Sequence, residues 1–404
     1  MPEKLTREQL IKVAEEFGTP LYVYHAEKIK EQYEKLTSAF SSLQTRFFYA
    51  CKALTNINII SFINSLGCGI DCSSINEVKL ALHAGVKSEN ILYTSNGISF
   101  SEIEEAVGFG VHVNIDSLSN LQKFGKKFGN SYPVGVRIRP NILAGGNLKI
   151  STGHEKSKFG IPIDQLEELK QLIEQHNINI KTLHLHTGSD IKDADVFVQG
   201  VKVMTDLVPN FPDLKVIDLG GGFKVPYEPE NDETDMGLIA KKLQQFLKTH
   251  LPGDAEKYEL WFEPGKYLVS ECGYFITQVN VIKETHTVTF AGVNSGLNHL
   301  IRPMFYEAYH HIENLSNPDG EEKIYTITGY ICETDTFASD RKLPEIREGD
   351  YLVFYNAGAY GFEMASNYNS RYKPAEILFK DGKAILIRKR DDFDDLLRKQ
   401  VHVL

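Results

Sequence analysis

The chain lacks the marks of a membrane, secreted or nucleic-acid-binding protein. No apolar run approaches the roughly 20 residues needed to cross a bilayer. The first stretch, MPEKLTREQLIKVAEEFG, is charged and reads as an amphipathic helix, so no signal peptide is expected. Cysteine is scarce. Cys51, Cys68, Cys72, Cys272 and Cys332 are odd in number and scattered, with no C-x-x-C pair, so neither a disulfide framework nor a structural zinc site is indicated. A reducing cytoplasm is the expected compartment. Excess positive charge is missing too: 44 Lys and Arg against 54 Asp and Glu leave a formal net charge of -10. That argues against general affinity for nucleic acid or anionic membranes, while leaving room for a local anion pocket. No low-complexity linker or tail breaks the pattern.

What is present is an ordinary globular composition, 42% hydrophobic and 24% charged over 404 residues, enough for a large domain and a smaller one. Short β-rich runs recur at RFFYA, CGIDC, ILYTS, HVNID, VGVRIRP, TLHLHT, KVIDLGGG and ELWFEPG, with helix-like segments such as SINEVKLALHAG and SFSEIEEAVGFG between them. Eight such units in a row favour a (β/α)8 TIM-type barrel over an open doubly wound sheet. In such barrels the chemistry gathers at the C-terminal ends of the strands. Here those ends carry Lys52, Asp71, Arg137 with Arg139, His186 with Ser189, Gly220 to Gly222, and Glu263. After Gly273 the crossover helices stop and strand follows strand, with Asp381-Gly382 as a type I′ hairpin signal. The expected organisation is a barrel over 27–272 followed by a C-terminal β-sandwich or barrel-like domain over 273–404, completed by residues 1–26 through the early strand PLYVYH.

Several residues invite two readings. Lys52, directly after RFFYAC, is either a solvated loop lysine or an amine needed at a strand end, since Lys forms Schiff bases with carbonyl compounds. DLGGGF is a tight turn or a backbone cradle for a phosphate; it is no dinucleotide fingerprint, because the G-x-G-x-x-G spacing is absent. His184 and His186 share a strand face, yet no H-E-x-x-H motif or carboxylate partner completes a zinc site, so no metal is expected. A ring-facing or satisfied core histidine is the alternative. Glu263, stopped by Pro264, points into the barrel mouth or caps a helix. A lysine, a glycine loop, a flat histidine and a carboxylate for a pyridinium nitrogen together suit pyridoxal phosphate.

The ordered motifs carry a resemblance. FGTPLYVYH, YACKALTN, GIDCSSINEVKLALHAG, ISTGHEKSKFGI, LHLHTGS, DLGGGF, EPGK, LIRPMFYEAYHHI, GYICETDTFASDRKLP, EGDYLVFYNAGAYGFEMASNYNSR and PAEIL follow in series from about Phe17 to the C-terminus. The chain resembles the diaminopimelate decarboxylases, in the alanine-racemase-fold group of pyridoxal phosphate decarboxylases. The resemblance implies that Lys52 is the Schiff-base lysine and that His186 stacks on the cofactor ring. It further implies that Ser189, Gly221, Gly222, Gly265 and Lys266 help to bind the cofactor, with Glu263 facing its ring nitrogen. Arg302, Tyr306 and Lys266 would meet the substrate's carboxylates and Glu333 its distal amine. Tyr368 would touch both cofactor and substrate, and Cys332 would act as general acid. On the residues alone, Cys332 is equally an inert thiol, and Arg302 with Tyr306 a structural pair. The implied reaction converts meso-2,6-diaminopimelate to L-lysine and CO2; the alternative is a related decarboxylase acting on carboxynorspermidine or a basic amino acid. A homodimer with shared active sites is also implied. The chain departs from the family pattern at Lys266 (usually Arg), Leu54 (commonly Asn), Asp190 (commonly Gln) and Asn147 (often His).

Overall fold

The computed structural model describes residues 4–140, 157–186, 188, 191, 193–228, 233–251 and 255–404. They gather into two compact units. One holds the N-terminal residues through Glu31, a short segment beginning at Pro226, and the chain from Val269 to Leu404; the other runs from Gln32 to Val225 and resumes up to Leu268. The first strand, β1 (Leu21–His25), belongs to the former.

The second unit is a closed barrel. Its parallel strands are β2 (Thr45–Ala50), β3 (Gly69–Cys72), β4 (Ile91–Thr94), β5 (His112–Ile115) and β6 (Val134–Arg139), then β8 (Ile180–His184), β9 (Val216–Asp218) and β10 (Glu259–Phe262). Each pairs with the next and β10 closes on β2, while the short β7 (Ile161–Pro162) adds only to β6. All eight β-rich runs therefore become barrel strands. The TLHLHT run differs slightly: its strand starts at Ile180 and ends at His184, and the Leu185 N–H still donates to the Asp218 carbonyl of the next strand. His186 thus sits just beyond the strand. The intervening helices obey local signals. Ser74 caps Ile75–His83 by accepting from the Glu77 N–H, and Gly85, at φ +88°, ends that segment in a backbone few other residues adopt.

The first unit is built around β1, which pairs antiparallel with β11 (Gly273–Glu284) and parallel with β17 (Ala375–Lys380). Between them in sequence lie β12 (Thr289–Val293), β13 (Ile312–Asn314), β14 (Glu322–Thr328), β15 (Thr336–Pro344) and β16 (Tyr351–Phe354), all in one nine-stranded sheet that β18 (Lys383–Arg388) completes. Asp381 and Gly382 both take positive φ, 51° and 73°, as a type I′ turn requires. The N-terminal segment is the helix Arg7–Phe17, opened by a Thr6–Gln9 capping box. Its Leu10, Val13 and Ala14 pack onto Leu21, Val23, Ile276, Val353, Ile377 and Phe379, so the start of the chain is part of this core. Leu10→Ala should therefore lower the stability of the unit by about 2–5 kcal/mol, read as a shifted denaturation midpoint.

Candidate active site

The barrel gathers ionisable groups at the C-terminal ends of its strands. Lys52 lies in the turn Cys51–Ala53 after β2, with its ammonium 3.8 Å from Asp71 at the end of β3. The lysine side chain is 44% exposed whereas Asp71 is buried, so the amine stands above a fixed carboxyl. Register accounts for the meeting: Ala50 pairs with Asp71 across β2 and β3. Glu263 follows β10, and its N–H donates to the Gly220 carbonyl at 2.7 Å. His184 Nε2 approaches Glu263 Oε1 at 3.4 Å, and Asp218 joins them from β9.

These groups do not share charge equally. Burial raises Asp71 and Asp218 well above the usual carboxylate range, and the charge on Glu263 raises both further. Burial also opposes ionisation of Glu263, but the contact with His184 and the charge of Lys52 outweigh it and hold this carboxyl low. Glu263 is therefore the ionised member. The His186 imidazole is pushed down to about 3, chiefly by burial and then by Arg137, and stays neutral. Its Nδ1 accepts from the Gly221 N–H at 3.1 Å, which places the proton of the neutral ring on Nε2.

The glycine loop is tight. A Cβ on Gly221 would lie 2.1 Å from the Glu263 carbonyl oxygen, and one on Gly222 would lie 2.0 Å from that of Gly188. The Gly220 N–H donates to Asp218 Oδ1 at 3.0 Å, so this N–H and that of Gly221 both serve the protein. Gly265 packs against Ala50, and Lys266 opens the helical turn Lys266–Val269. Ser189, and the departures Asn147 and Asp190, lie outside the described residues.

The β unit brings together the other expected residues in two groups. Arg302 is buried beside the rings of Tyr227, Tyr306 and Tyr360, and its Nη2 donates to the Tyr227 hydroxyl at 3.2 Å. Its Nε has no hydrogen-bond partner among the described residues. Cys332 and Glu333 are exposed, and Glu333 accepts a short hydrogen bond from the Tyr368 hydroxyl, which raises that phenol above its usual range. Asn369 Nδ2 lies 3.9 Å from Cys332 Sγ. Behind them Asp335 accepts from the Ile331 N–H at 2.7 Å and the Leu297 N–H at 2.5 Å, pinning the loop.

Comparison with known proteins fits this arrangement. Residues 26–270 match the family described as pyridoxal-dependent decarboxylase, pyridoxal binding domain. The chain is 38% identical to a diaminopimelate decarboxylase of Methanothermobacter thermautotrophicus, over 96% of this chain and 93% of the relative. The chain belongs to the diaminopimelate decarboxylase family. Within that family it superposes on the Methanocaldococcus jannaschii diaminopimelate decarboxylase structure with a TM-score of 0.90 at 33% identity, covering 97% of this chain and 94% of the other. For the Helicobacter pylori diaminopimelate decarboxylase complexed with L-lysine the TM-score is 0.88 at 32% identity, covering 96% and 98%.

The family's cofactor, pyridoxal phosphate, suits the residues present in this member. An ionised, buried Glu263 whose Oε1 lacks a hydrogen-bond partner among the described residues is matched to a protonated pyridine nitrogen. A neutral His186 held by a backbone N–H offers a flat ring, and Lys52 offers an amine.

The expectation that His184 lacks carboxylate partners is corrected by the fold, which brings Asp218 and Glu263 to it from neighbouring strands, a juxtaposition set by register. Tyr227, Asp218 and Asp335 escaped the sequence reading. Asp218 had a signal in its place before the glycine run at a strand end; Tyr227 and Asp335 had none.

Burial also governs pH response in the β unit. It lowers His299 to about 4 despite the Tyr372 carbonyl, and lowers His310 to about 4 with help from Arg302. An unfolded chain protonates histidine near pH ~6.5, so the stability these rings support is whole above that value and lost as pH falls toward about 4. Denaturant titrations from about pH 7 to about pH 5 should show a loss on the order of 1–2 kcal/mol per ring, with a shallower slope for His310→Asn.

Proposed function

We propose that the chain catalyses the pyridoxal phosphate-dependent decarboxylation of meso-2,6-diaminopimelate to L-lysine and CO2, the last step of lysine biosynthesis. The observation that carries this reading is the pairing of an ionised, buried Glu263 with a neutral His186 beside Lys52, in a chain of this family. When bound, the cofactor supplies an electron sink for the pair left on the α-carbon as the carboxylate departs as CO2. Lys52 would supply the amine that holds the cofactor through its carbonyl carbon. Glu263 keeps the ring nitrogen protonated. His186 fixes the ring plane, while Gly222, Gly265, Lys266 and Ser189 join Gly221 in holding the cofactor. Cys332 delivers a proton to the α-carbon, replacing the lost CO2.

Substrate choice rests on the β unit. Arg302, aided by Tyr306 and Lys266, binds a carboxylate, and Glu333 with Tyr368 binds the distal amine. The buried Arg302 Nε, without an acceptor among the described residues, supports the first role, and the Glu333–Tyr368 hydrogen bond supports the second. We also infer a homodimer in which the Cys332 loop serves the partner subunit's Lys52. The exposure of Cys332, Glu333, Tyr368 and Phe305 supports this, since a proton donor works best out of bulk water. Five free cysteines and the lack of a described helix able to cross a membrane support a cytoplasmic location.

Assayed in parallel with pyridoxal phosphate, diaminopimelate should yield CO2 and lysine while L-ornithine and L-arginine yield little; an enzyme active only on the latter pair would sink the substrate assignment. Mixed Lys52→Ala and Cys332→Ala subunits should recover part of the parent activity, each variant alone being nearly inactive. No recovery after verified subunit exchange would count against shared sites.

A further inference from the structure

His184 and Asp218 are wholly buried titratable groups in the barrel that have no part in the reaction just proposed. Strand register makes them neighbours, for His184 and Asp218 are directly paired across β8 and β9, and β10 pairs Trp261 with Asp218 two residues before Glu263. One ligating atom from each of His184, Asp218 and Glu263 lies within 4.8 Å of the other two. Asp218 Oδ1 accepts from the Gly220 N–H, yet Oδ2 has no hydrogen-bond partner among the described residues. Neither ring nitrogen of His184 has one in good geometry, although Nε2 is aimed at Glu263. Buried polar atoms left this way are uncommon and call for an explanation.

Charge supplies it. Two carboxylates this close in a dry site do not both ionise, and a proton stays on one of them. Glu263 has His184 at 3.4 Å and feels Lys52, whereas no ion pair to Asp218 is formed among the described residues. The other titratable groups facing the cluster are Asp71, Lys52 and Arg137, with neutral His186 beside them. The proton belongs on Asp218.

We propose that Asp218 is held as a neutral carboxylic acid whose O–H is directed at Glu263, and that Asp218 and His184 are positioning residues for that carboxylate. Two hydrogen-bond donors from below would fix the rotamer of Glu263 and keep it ionised for the cofactor's ring nitrogen. A divalent cation in the same three residues would instead need Asp218 ionised, so the protonation state separates the two. The inference rests on the role proposed for Glu263, but the state of Asp218 can be read without cofactor or substrate.

Infrared spectra of the cofactor-free protein, with carbon-13-labelled aspartate in an Asp71→Asn background, should show a protonated aspartic carbonyl band at neutral pH that disappears on adding Asp218→Asn. Absence of that band in the Asp71→Asn protein overturns the proposal whatever the enzyme's substrate, and needs no Asp218 variant to fold. Asp218→Asn keeps a neutral donor. It should retain kcat and the apo-protein's affinity for pyridoxal phosphate within about threefold, whereas Asp218→Ala should lose about tenfold or more in both, with KM for diaminopimelate unchanged. Asp218→Asn as impaired as Asp218→Ala would show that the negative charge is required and would overturn the assignment. A band with normal Asp218→Asn behaviour but no lysine formation would refute the proposed reaction and leave the protonation assignment standing.

Discussion

The closed barrel must bury acids and bases together at one end, and most of the site follows from how that charge is divided. Asp71, Asp218 and Glu263 arrive on three different strands, facing Lys52, Arg137 and two histidines. Full ionisation would place mutually repelling charges where little water screens them. Glu263, with His184 against it, is the carboxyl held low, while burial raises Asp71 and Asp218 and lowers both histidines. The glycine loop enters the same arrangement. Gly220 and Gly221 spend their N–H groups on Asp218 and His186, so the loop orients the acid and the ring before it meets any phosphate. A side chain on Gly221 would collide with the Glu263 carbonyl, which makes glycine a requirement of the carboxylate's backbone as well as of the loop.

The β unit solves a different problem. Arg302 is buried among tyrosine rings that tolerate a cation without neutralising it, so its charge remains available to a planar anion. Cys332 and Glu333 stand in the open but are not loose. Asp335, itself buried, holds the loop through backbone N–H groups at Ile331 and Leu297, and Gly329 and Gly296 leave room for its carboxylate. Cys332 and Glu333 sit at the surface while their support lies inside.

The legible parts of the chain were those whose signal is local. Lys52 after an aromatic run, Glu263 before Pro264, the glycine triplet and the Asp381-Gly382 turn each announce themselves within a few residues. Eight alternating strand and helix patterns disclosed the barrel, and the motif series disclosed the family. Signals that depend on register were hidden. Nothing near His184 indicates that a carboxyl 34 residues further on, Asp218, will stand beside it in the next strand. Tyr227 and Arg302 are 75 residues apart and meet only in the fold. The N–H groups of the glycines suggested a cradle for phosphate, and only coordinates reveal that two of them face inward.

Charge balance also bears on specificity. Within the β unit the expected recognition groups are one cation, Arg302, and one anion, Glu333, a pair whose charges cancel. A distal end carrying both an ammonium and a carboxylate satisfies the two together. A simple diamine-forming substrate such as ornithine supplies only the ammonium and leaves the Arg302 Nε desolvated and unmatched. Leaving a buried charged donor unpaired costs more than a missing apolar contact, which is how a site built around hydrogen bonds rejects the analogue lacking one group. With the roles proposed for Arg302 and Glu333, discrimination between diaminopimelate and the basic amino acids would reside less in how tightly Glu333 holds the shared amine than in the penalty Arg302 imposes when no carboxylate comes with it.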